Sequence, residues 1–205
     1  MAGKELHVIT NGRRTWTEIG QTAVQIHSLV TAIHIREKAK SPDEVFIGVQ
    51  HLLALGVPAA KLYVNGLPAV AEALRLGGLH LPGSSPPLQE IIRIAVARIG
   101  FSVHSTEEAA LREAEGADYV LFGHIYETAS KPGLAARGLE QLAETASRVR
   151  IPVLAIGGMT PDRVQDVLAT GAAGIAVMSG IWEAEDPLAT IQTYHQVLGH
   201  KGVML

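Results

Sequence analysis

The sequence predicts a single-domain α/β protein, a compact (β/α)8 TIM barrel spanning residues 1–205. Three observations predict it. Short continuous apolar runs alternate with segments of helical period, the pattern of parallel strands covered on their faces by helices. The alternation occurs eight times, as barrel closure requires, and 205 residues lie at the compact end for that fold. No linker-like stretch divides the chain. A doubly wound open sheet is the alternative, but no Gly-x-Gly-x-x-Gly follows the first strand to supply its usual dinucleotide signal.

The elements follow in order. Leu6 to Thr10 reads as a strand, and Thr15-x-x-Glu18 is a capping box that opens a helix to about Leu29. Ala32 to Ile35 is the second strand and delivers Arg36-Glu-Lys38 at its end. Ser41-Pro-Asp-Glu44 places a capping serine, a first-turn proline and a reaching glutamate before a helix to about Leu55, closed by Gly56. Lys61 to Val64 is strand three, ending in Asn65-Gly66, and Pro68 to Leu76 is a short helix stopped by Gly77-Gly78. Leu79-His-Leu81 is strand four, Leu88 to about Val96 a helix, and Ile99 to Val103 strand five, followed by His104. Ser105-Thr-Glu-Glu108 is a further capping box, for a helix to Glu115.

Tyr119 to Phe122 is strand six, after which Gly123 turns the backbone into His124. The following loop, Glu127 to Gly138, is small, polar and glycine-containing, as a mobile segment over a site would be. Leu139, Leu142, Ala143, Ala146 and Val149 share one helical face. Ile151 to Ile156 is strand seven, followed by Gly157-Gly158, and Thr160-Pro161 begins a helix ended by Gly171. Gly174 to Met178 is strand eight, Ile181 to Ala184 a candidate short extra helix, and about Pro187 to Leu198 the last helix.

Composition narrows the function classes. Hydrophobic residues make up 47% and charged ones 18%, which fits a large core rather than disorder. A net charge of -3 with no basic run gives no nucleic-acid or membrane surface. The absence of cysteine removes disulfides, thiolate metal sites and cysteine nucleophiles. The N-terminal residues lack a signal-peptide core and no 18-residue apolar stretch occurs, so a cytoplasmic protein is expected. The sequence admits a homo-oligomer.

Barrel chemistry sits at the C-terminal strand ends. Collected there are Arg36, Lys38, Asn65, His80, Ser102, His104, His124, Gly157-Gly158 and Met178-Ser179-Gly180. The glycine-rich turns after strands seven and eight are where barrel phosphate sites are commonly built, so a phosphate-bearing small molecule is expected there; tight turns alone are the alternative. Arg36 and Lys38 suit a carboxylate or second phosphate, or are solvated loop cations. Asn65 could serve only its turn with Gly66. His124 suits proton shuttling, unless it is a strand-end histidine satisfied by a backbone carbonyl. His80 and His104 read as orienting or packing residues, while His7, His27, His34, His51, His195 and His200 are assigned no chemistry.

Ile-His-Ile-Arg-Glu-Lys at 33–38, Ser-Val-His-Ser at 102–105, Asp-Tyr-Val-Leu-Phe-Gly-His at 118–124, Ile-Gly-Gly-Met-Thr-Pro-Asp at 156–162 and Gly-Ile-Ala-Val-Met-Ser-Gly-Ile at 174–181 occur in order. Together they resemble the thiamine phosphate synthase superfamily. Phe-Gly-His-Ile-Tyr-Glu-Thr and Met-Ser-Gly-Ile look most like its TenI-type thiazole tautomerases. Thiamine phosphate synthase uses magnesium held by aspartates, one after the strand-three asparagine and one in the strand-four loop. Here Asn65 precedes Gly66-Leu67, and Pro82-Gly-Ser-Ser85 fills that loop. The resemblance therefore implies a metal-free, cofactor-free isomerase. It would aromatise a carboxythiazole phosphate tautomer, with His124 as the catalytic acid–base. Gly157, Gly158, Met178, Ser179 and Gly180 would hold phosphate, with Arg36, Lys38, Asn65, His80, Ser102, His104 and the loop residue Gly133 about the substrate. Thiamine phosphate synthase itself, or a non-catalytic regulator binding thiazole or thiamine phosphates, are the alternatives.

Overall fold

The computed structural model describes residues 3–91 and 96–199. Eight parallel strands close into a barrel in sequence order: β1 (Glu5–Ile9), β2 (Ala32–Ile35), β3 (Leu62–Asn65), β4 (Gly78–Leu81), β5 (Ile99–Val103), β6 (Tyr119–Gly123), β7 (Val153–Ile156) and β8 (Gly174–Val177). The seam forms where β1 pairs with β8, Glu5 opposite Gly174 and Val8 opposite Val177. The (β/α)8 expectation is met.

The helices on the outside are α1 (Trp16–Ile26), α2 (Pro42–Ala54), α3 (Pro68–Ala73), α4 (Leu88–Ile91), α5 (Thr106–Ala114), α6 (Gly138–Arg148), α7 (Val164–Ala169), α8 (Ser179–Trp182) and α9 (Pro187–Val197). Both first capping boxes form, Thr15 with Glu18 and Ser41 with Glu44. The third is only half formed. Ser105 accepts from the Glu108 amide, but the Glu108 carboxylate reaches past it to accept from the backbone N–H of His104 at 2.6 Å. Helix start thus holds a site residue in place. α3 ends before the expected Leu76, because Arg75 takes a left-handed φ of 49°. Of the expected Leu88–Val96 helix, residues 92–95 lie outside the described residues, as does His200. No helix among the described residues is long and apolar enough to cross a membrane.

Strand side chains alternate between two environments. One set packs outward under the helices, including Leu6, Val8, Ile33, Val64, Leu79, Phe101, Val120, Phe122 and Ile175. The inward set contains Ile9, Ala32, Tyr63, Tyr119, Leu121, Leu154 and Ala176, joined by His7, His34 and His80. Gly78 and Gly100 make room for the tyrosines: a Cβ at Gly100 would lie 2.1 Å from Tyr119 Cζ, and one at Gly78 would lie 2.5 Å from Tyr63 Cε2. At the N-terminal end, Arg98 grips both carboxylate oxygens of Glu5, at 2.7 and 3.1 Å, and lies 4.8 Å from the Tyr119 ring centroid. Burial pushes the Glu5 carboxyl up, but His7 and Arg98 outweigh it and hold its pKa at about 2.

Burial makes the three interior histidines harder to protonate than usual. Burial pulls His80 down to about 3, with the His7 and Arg36 charges adding to it. Burial also lowers His34 well below the ordinary range and lowers His7, where Glu5 partly opposes it. Each imidazole therefore binds a proton less readily folded than unfolded. The unfolded chain holds the extra protons below the ordinary histidine value of 6.5, so this stability is full above that pH and lost as pH falls toward 3. We expect the urea-unfolding free energy to drop steadily between pH 6.5 and 4. His80→Gln should flatten that slope by up to about 1.4 kcal/mol per pH unit, one proton's worth. An unchanged slope would remove His80 from the account.

Candidate functional site

The C-terminal strand ends surround one cavity of about 900 Å³. It is lined by Arg36 and Lys38 after β2, Asn65 at β3, His80 in β4, Ser102 and His104 at β5, His124 after β6, Gly157 and Gly158 after β7, and Met178, Ser179 and Gly180 after β8. Gly133 is not among the lining residues: it lies exposed on the loop, with open space where a Cβ would be.

Glu37 lies between the two lining cations but is itself buried and paired with Lys40, whose ammonium lies 5.3 Å from the centroid of the Trp16 ring. Arg36 is anchored through its backbone N–H to Thr10 Oγ1 at 2.9 Å. His80 spans the interior, with Nδ1 3.1 Å from the Tyr119 hydroxyl and Nε2 2.9 Å from Ser102 Oγ. His104 Nδ1 donates to the Gly123 carbonyl at 2.6 Å. His124 is buried, and its Nε2 donates to the Leu134 carbonyl at 3.1 Å. One imidazole nitrogen thus holds the β6–α6 loop.

That loop carries residues the sequence reading passed over. Thr128, Ser130 and Lys131 all line the cavity. Burial pushes the Lys131 ammonium pKa down, and the neighbouring charges of Arg137, Arg36 and Lys38 push it further. Lys131, Arg36 and Lys38 thus face one space, whose two lining carboxylates, Glu37 and Glu108, are turned to Lys40 and to the His104 backbone. In the sequence Lys131 only follows two hydroxyl residues, Thr128 and Ser130, in a turn ended by Pro132-Gly133. His7 and His34, assigned no chemistry, stand in the barrel interior and connect to Asn65: His7 Nδ1 lies 2.9 Å from His34 Nε2, and His34 Nδ1 lies 3.2 Å from Asn65 Oδ1.

The opposite rim is bare backbone. Gly157 and Gly158 have φ of 98° and 66°. A Cβ on Gly157 would sit 2.3 Å from His124 Cβ, and one on Gly158 would sit 2.7 Å from the Glu127 carbonyl. Arg163 locks this turn by donating to the Gly158 carbonyl at 2.6 Å while its guanidinium lies 4.5 Å from the Tyr126 ring centroid. The extra helix forms two residues earlier than expected, so Ser179 and Gly180 fall in its first turn. Trp182 ties it to the barrel through a 2.7 Å bond from Nε1 to the Ile9 carbonyl. Polar backbone on one side and cations on the other suit a ligand with two anionic groups.

The residues do not fit a magnesium ion. Glycine and leucine follow Asn65, the β4 loop supplies only Pro82, Gly83, Ser84 and Ser85, Glu108 holds the His104 backbone N–H, and Glu37 pairs with Lys40 through Oε2, leaving only Oε1 without a hydrogen-bond partner. Among the described residues no three His, Cys, Asp or Glu side chains gather as a metal site would need.

A family model described as thiamine monophosphate synthase matches residues 6–181. The chain is 35% identical over 184 residues to the thiamine-phosphate synthase of Pyrococcus horikoshii, covering 89% of this chain and 88% of that one. It is 36% identical over 208 residues to the thiamine-phosphate synthase of a Roseiflexus species, covering 96% and 86%. The solved thiamine phosphate pyrophosphorylase of Pyrococcus furiosus matches with a TM-score of 0.77 at 30% identity over 95% of each chain. These relatives overturn the expected isomerase: they are named as synthases, which are transferases. The physical clue agrees, since His124, cast as the tautomerase's proton shuttle, has Nε2 occupied by a backbone carbonyl.

The glycine rim gives a direct test of the local geometry. Gly158→Val forces a branched side chain into a left-handed backbone against the Glu127 carbonyl, and should cost about 1–3 kcal/mol of stability with weakened binding of inorganic phosphate. Gly180→Ala should stay within about 0.5 kcal/mol of wild type, because its Cβ meets nothing closer than the Tyr194 hydroxyl at 3.5 Å. Urea denaturation and phosphate titration check both.

Proposed function

This chain belongs to the thiamine monophosphate synthase family, and we propose that it is a transferase of the thiamine-phosphate synthase kind. Its substrates are then a hydroxymethylpyrimidine diphosphate and a thiazole phosphate. The bond from the pyrimidine methylene carbon to the diphosphate oxygen breaks, and pyrophosphate leaves with the electron pair. The thiazole ring nitrogen supplies the pair for the new carbon–nitrogen bond.

The observation that carries this reading is the pairing of the cation cluster with the glycine rim across one cavity. Lys131, Arg36 and Lys38 would take the diphosphate, whose charge grows on the leaving oxygen as the bond breaks, so their attraction strengthens toward the transition state. Gly157, Gly158, Met178, Ser179 and Gly180 would take the thiazole phosphate through backbone N–H groups. Thr128 and Ser130 offer hydroxyls beside Lys131. Ser102 and Asn65 face the space between, where the rings would meet. His124 acts on the loop rather than on the substrate, because its bond to Leu134 ties the segment carrying Lys131 to the end of β6.

A second reading is favoured by the missing carboxylates: a protein that binds the same phosphates without joining them. Incubation with both substrates, in magnesium and in chelator, separates the two. Thiamine phosphate and pyrophosphate appearing together supports the transferase, and saturable thiazole phosphate binding without product supports the binder. We expect Lys131→Gln to cut turnover about tenfold to a hundredfold, as loss of a charged hydrogen bond does, with little change in urea stability. Wild-type turnover in that variant would exclude Lys131 from holding the leaving group.

A further inference from the structure

Arg112 of α5 is a buried cation standing outside the cavity, against the outward-facing ring of Phe101, whose centroid lies 4.4 Å from its guanidinium. Its Nη2 donates to the Gly83 and Ser85 carbonyls, each at 2.8 Å, and its Nη1 to the Pro86 carbonyl at 3.4 Å. Nη1 also donates to Glu115 Oε2 at 2.6 Å, and that oxygen accepts from the Leu88 N–H at 3.4 Å. One helix thus holds the whole loop between β4 and α4. A buried charge is costly unless it is paired and hydrogen-bonded, and here the loop carbonyls and Glu115 satisfy it.

This hold sets the direction of one amide. A trans peptide unit points its N–H opposite to its C=O. Prolines follow both Ser85 and Pro86, so two of the three held peptide units have no N–H. The third joins Gly83 to Ser84. With the Gly83 oxygen drawn out to Arg112, the Ser84 N–H is turned the other way, and Ser84 lines the cavity. No group among the described residues accepts from that amide. The loop is held on its other side too: the Ser85 N–H bonds the Pro82 carbonyl at 3.0 Å, and a Cβ on Gly83 would lie 2.6 Å from the Ser102 carbonyl. In the closed barrel β4 is four strands from β8, so the loop stands opposite the Ser179–Gly180 turn, on the arc between the β2 cations and the β6 loop.

We infer that Arg112 is a positioning residue that turns the Ser84 N–H into the cavity as a donor to a ligand oxyanion on the cation side of the mouth. Neither Arg112 nor Glu115 reaches the ligand; both act through the loop. A guanidinium on the Gly83 carbonyl also polarises the peptide unit, which makes the N–H at its other end a stronger donor. A neutral, fixed donor holds an anion without adding to the positive charge that Lys131, Arg36 and Lys38 already place there. The inference rests on the reading that this cavity takes phosphate-bearing ligands.

The test is a titration of the intact, ¹⁵N-labelled protein with inorganic pyrophosphate in the absence of magnesium. The Ser84 amide proton should move downfield and saturate together with the heat of binding. Arg112→Met keeps an unbranched buried chain but removes every donor. It should weaken pyrophosphate binding about tenfold, as loss of one hydrogen bond to a charged group does, and abolish the Ser84 shift. Arg112→Lys, which can still reach one carbonyl, should recover part of both. Urea denaturation of each variant separates stability from affinity. A folded Arg112→Met protein with wild-type affinity, or with a Ser84 signal that still moves, would make Arg112 a structural residue only and overturn the inference. Wild-type binding that leaves the Ser84 amide unmoved would overturn it as well, and that arm decides if Arg112→Met does not fold. Absence of pyrophosphate binding by the wild-type protein would instead sink the phosphate reading of the cavity, and the inference with it.

Discussion

The Arg98–Glu5 pair at the closed end of the barrel is the interaction on which the interior depends. Small barrels are commonly filled by layers of branched aliphatic side chains. Here the inward positions of β1, β2 and β4 hold His7, His34 and His80, packed edge and tilt against Tyr63 and Tyr119. Such a filling is stable only if each polar atom finds a partner, since an unsatisfied buried group costs about 1–3 kcal/mol. Glu5 provides the fixed acceptor at one end, and Arg98 keeps Glu5 ionised. Without the guanidinium, burial would raise the carboxyl and blur every donor assignment above it. A charged pair at the floor thus anchors the polar filling of the interior through His7.

The rim follows a different logic. Here backbone rather than side chains does the shaping. Gly123 packs against the Ile156 carbonyl, Gly157 against His124 and Gly158 against Glu127, each too closely to admit a Cβ. The β6 and β7 ends consequently meet as bare chain. His104 and His124 stiffen the same corner by bonding carbonyls, one on Gly123 and one on Leu134. His124, read in the sequence as a proton shuttle, bonds the loop that carries Lys131, while His104, read as an orienting or packing residue, bonds the end of β6.

The fold was legible because the signals for it are local and repeated. Capping residues such as Thr15 and Ser41, terminating glycines and apolar strand runs each declare an element within a few positions. The rim was legible by the same route, since a barrel sends every strand end to one face. What was not legible is pairing across the interior. Nothing near His34 in sequence says that its partners are His7, 27 residues earlier, and Asn65, 31 residues later. The choice of reaction failed for a related reason. His124 following an apolar run is compatible with a proton shuttle or a carbonyl-bound fastener, and only Leu134, brought back by the loop, distinguishes them. Lys131 was hidden by its company: its cationic neighbours come from β2, almost a hundred residues away, and from the start of α6.

The charge layout explains how a rim whose carboxylates are turned away from its cations can still be stable. Burial lowers the Lys131 pKa first, and repulsion from Arg137, Arg36 and Lys38 lowers it further. In water that repulsion is small, about 1 kcal/mol for unit charges 4 Å apart, and the open mouth keeps these groups solvated. Acidic neighbours would relieve it, yet Glu37 is turned to Lys40 and Glu108 to the His104 backbone, so neither relieves it. An arriving polyanion removes the repulsion and adds attraction in the same step, and attraction grows as the ligand displaces water. Under the proposed reading, an anion spanning the cations and the glycine rim would be held better than one meeting either side alone.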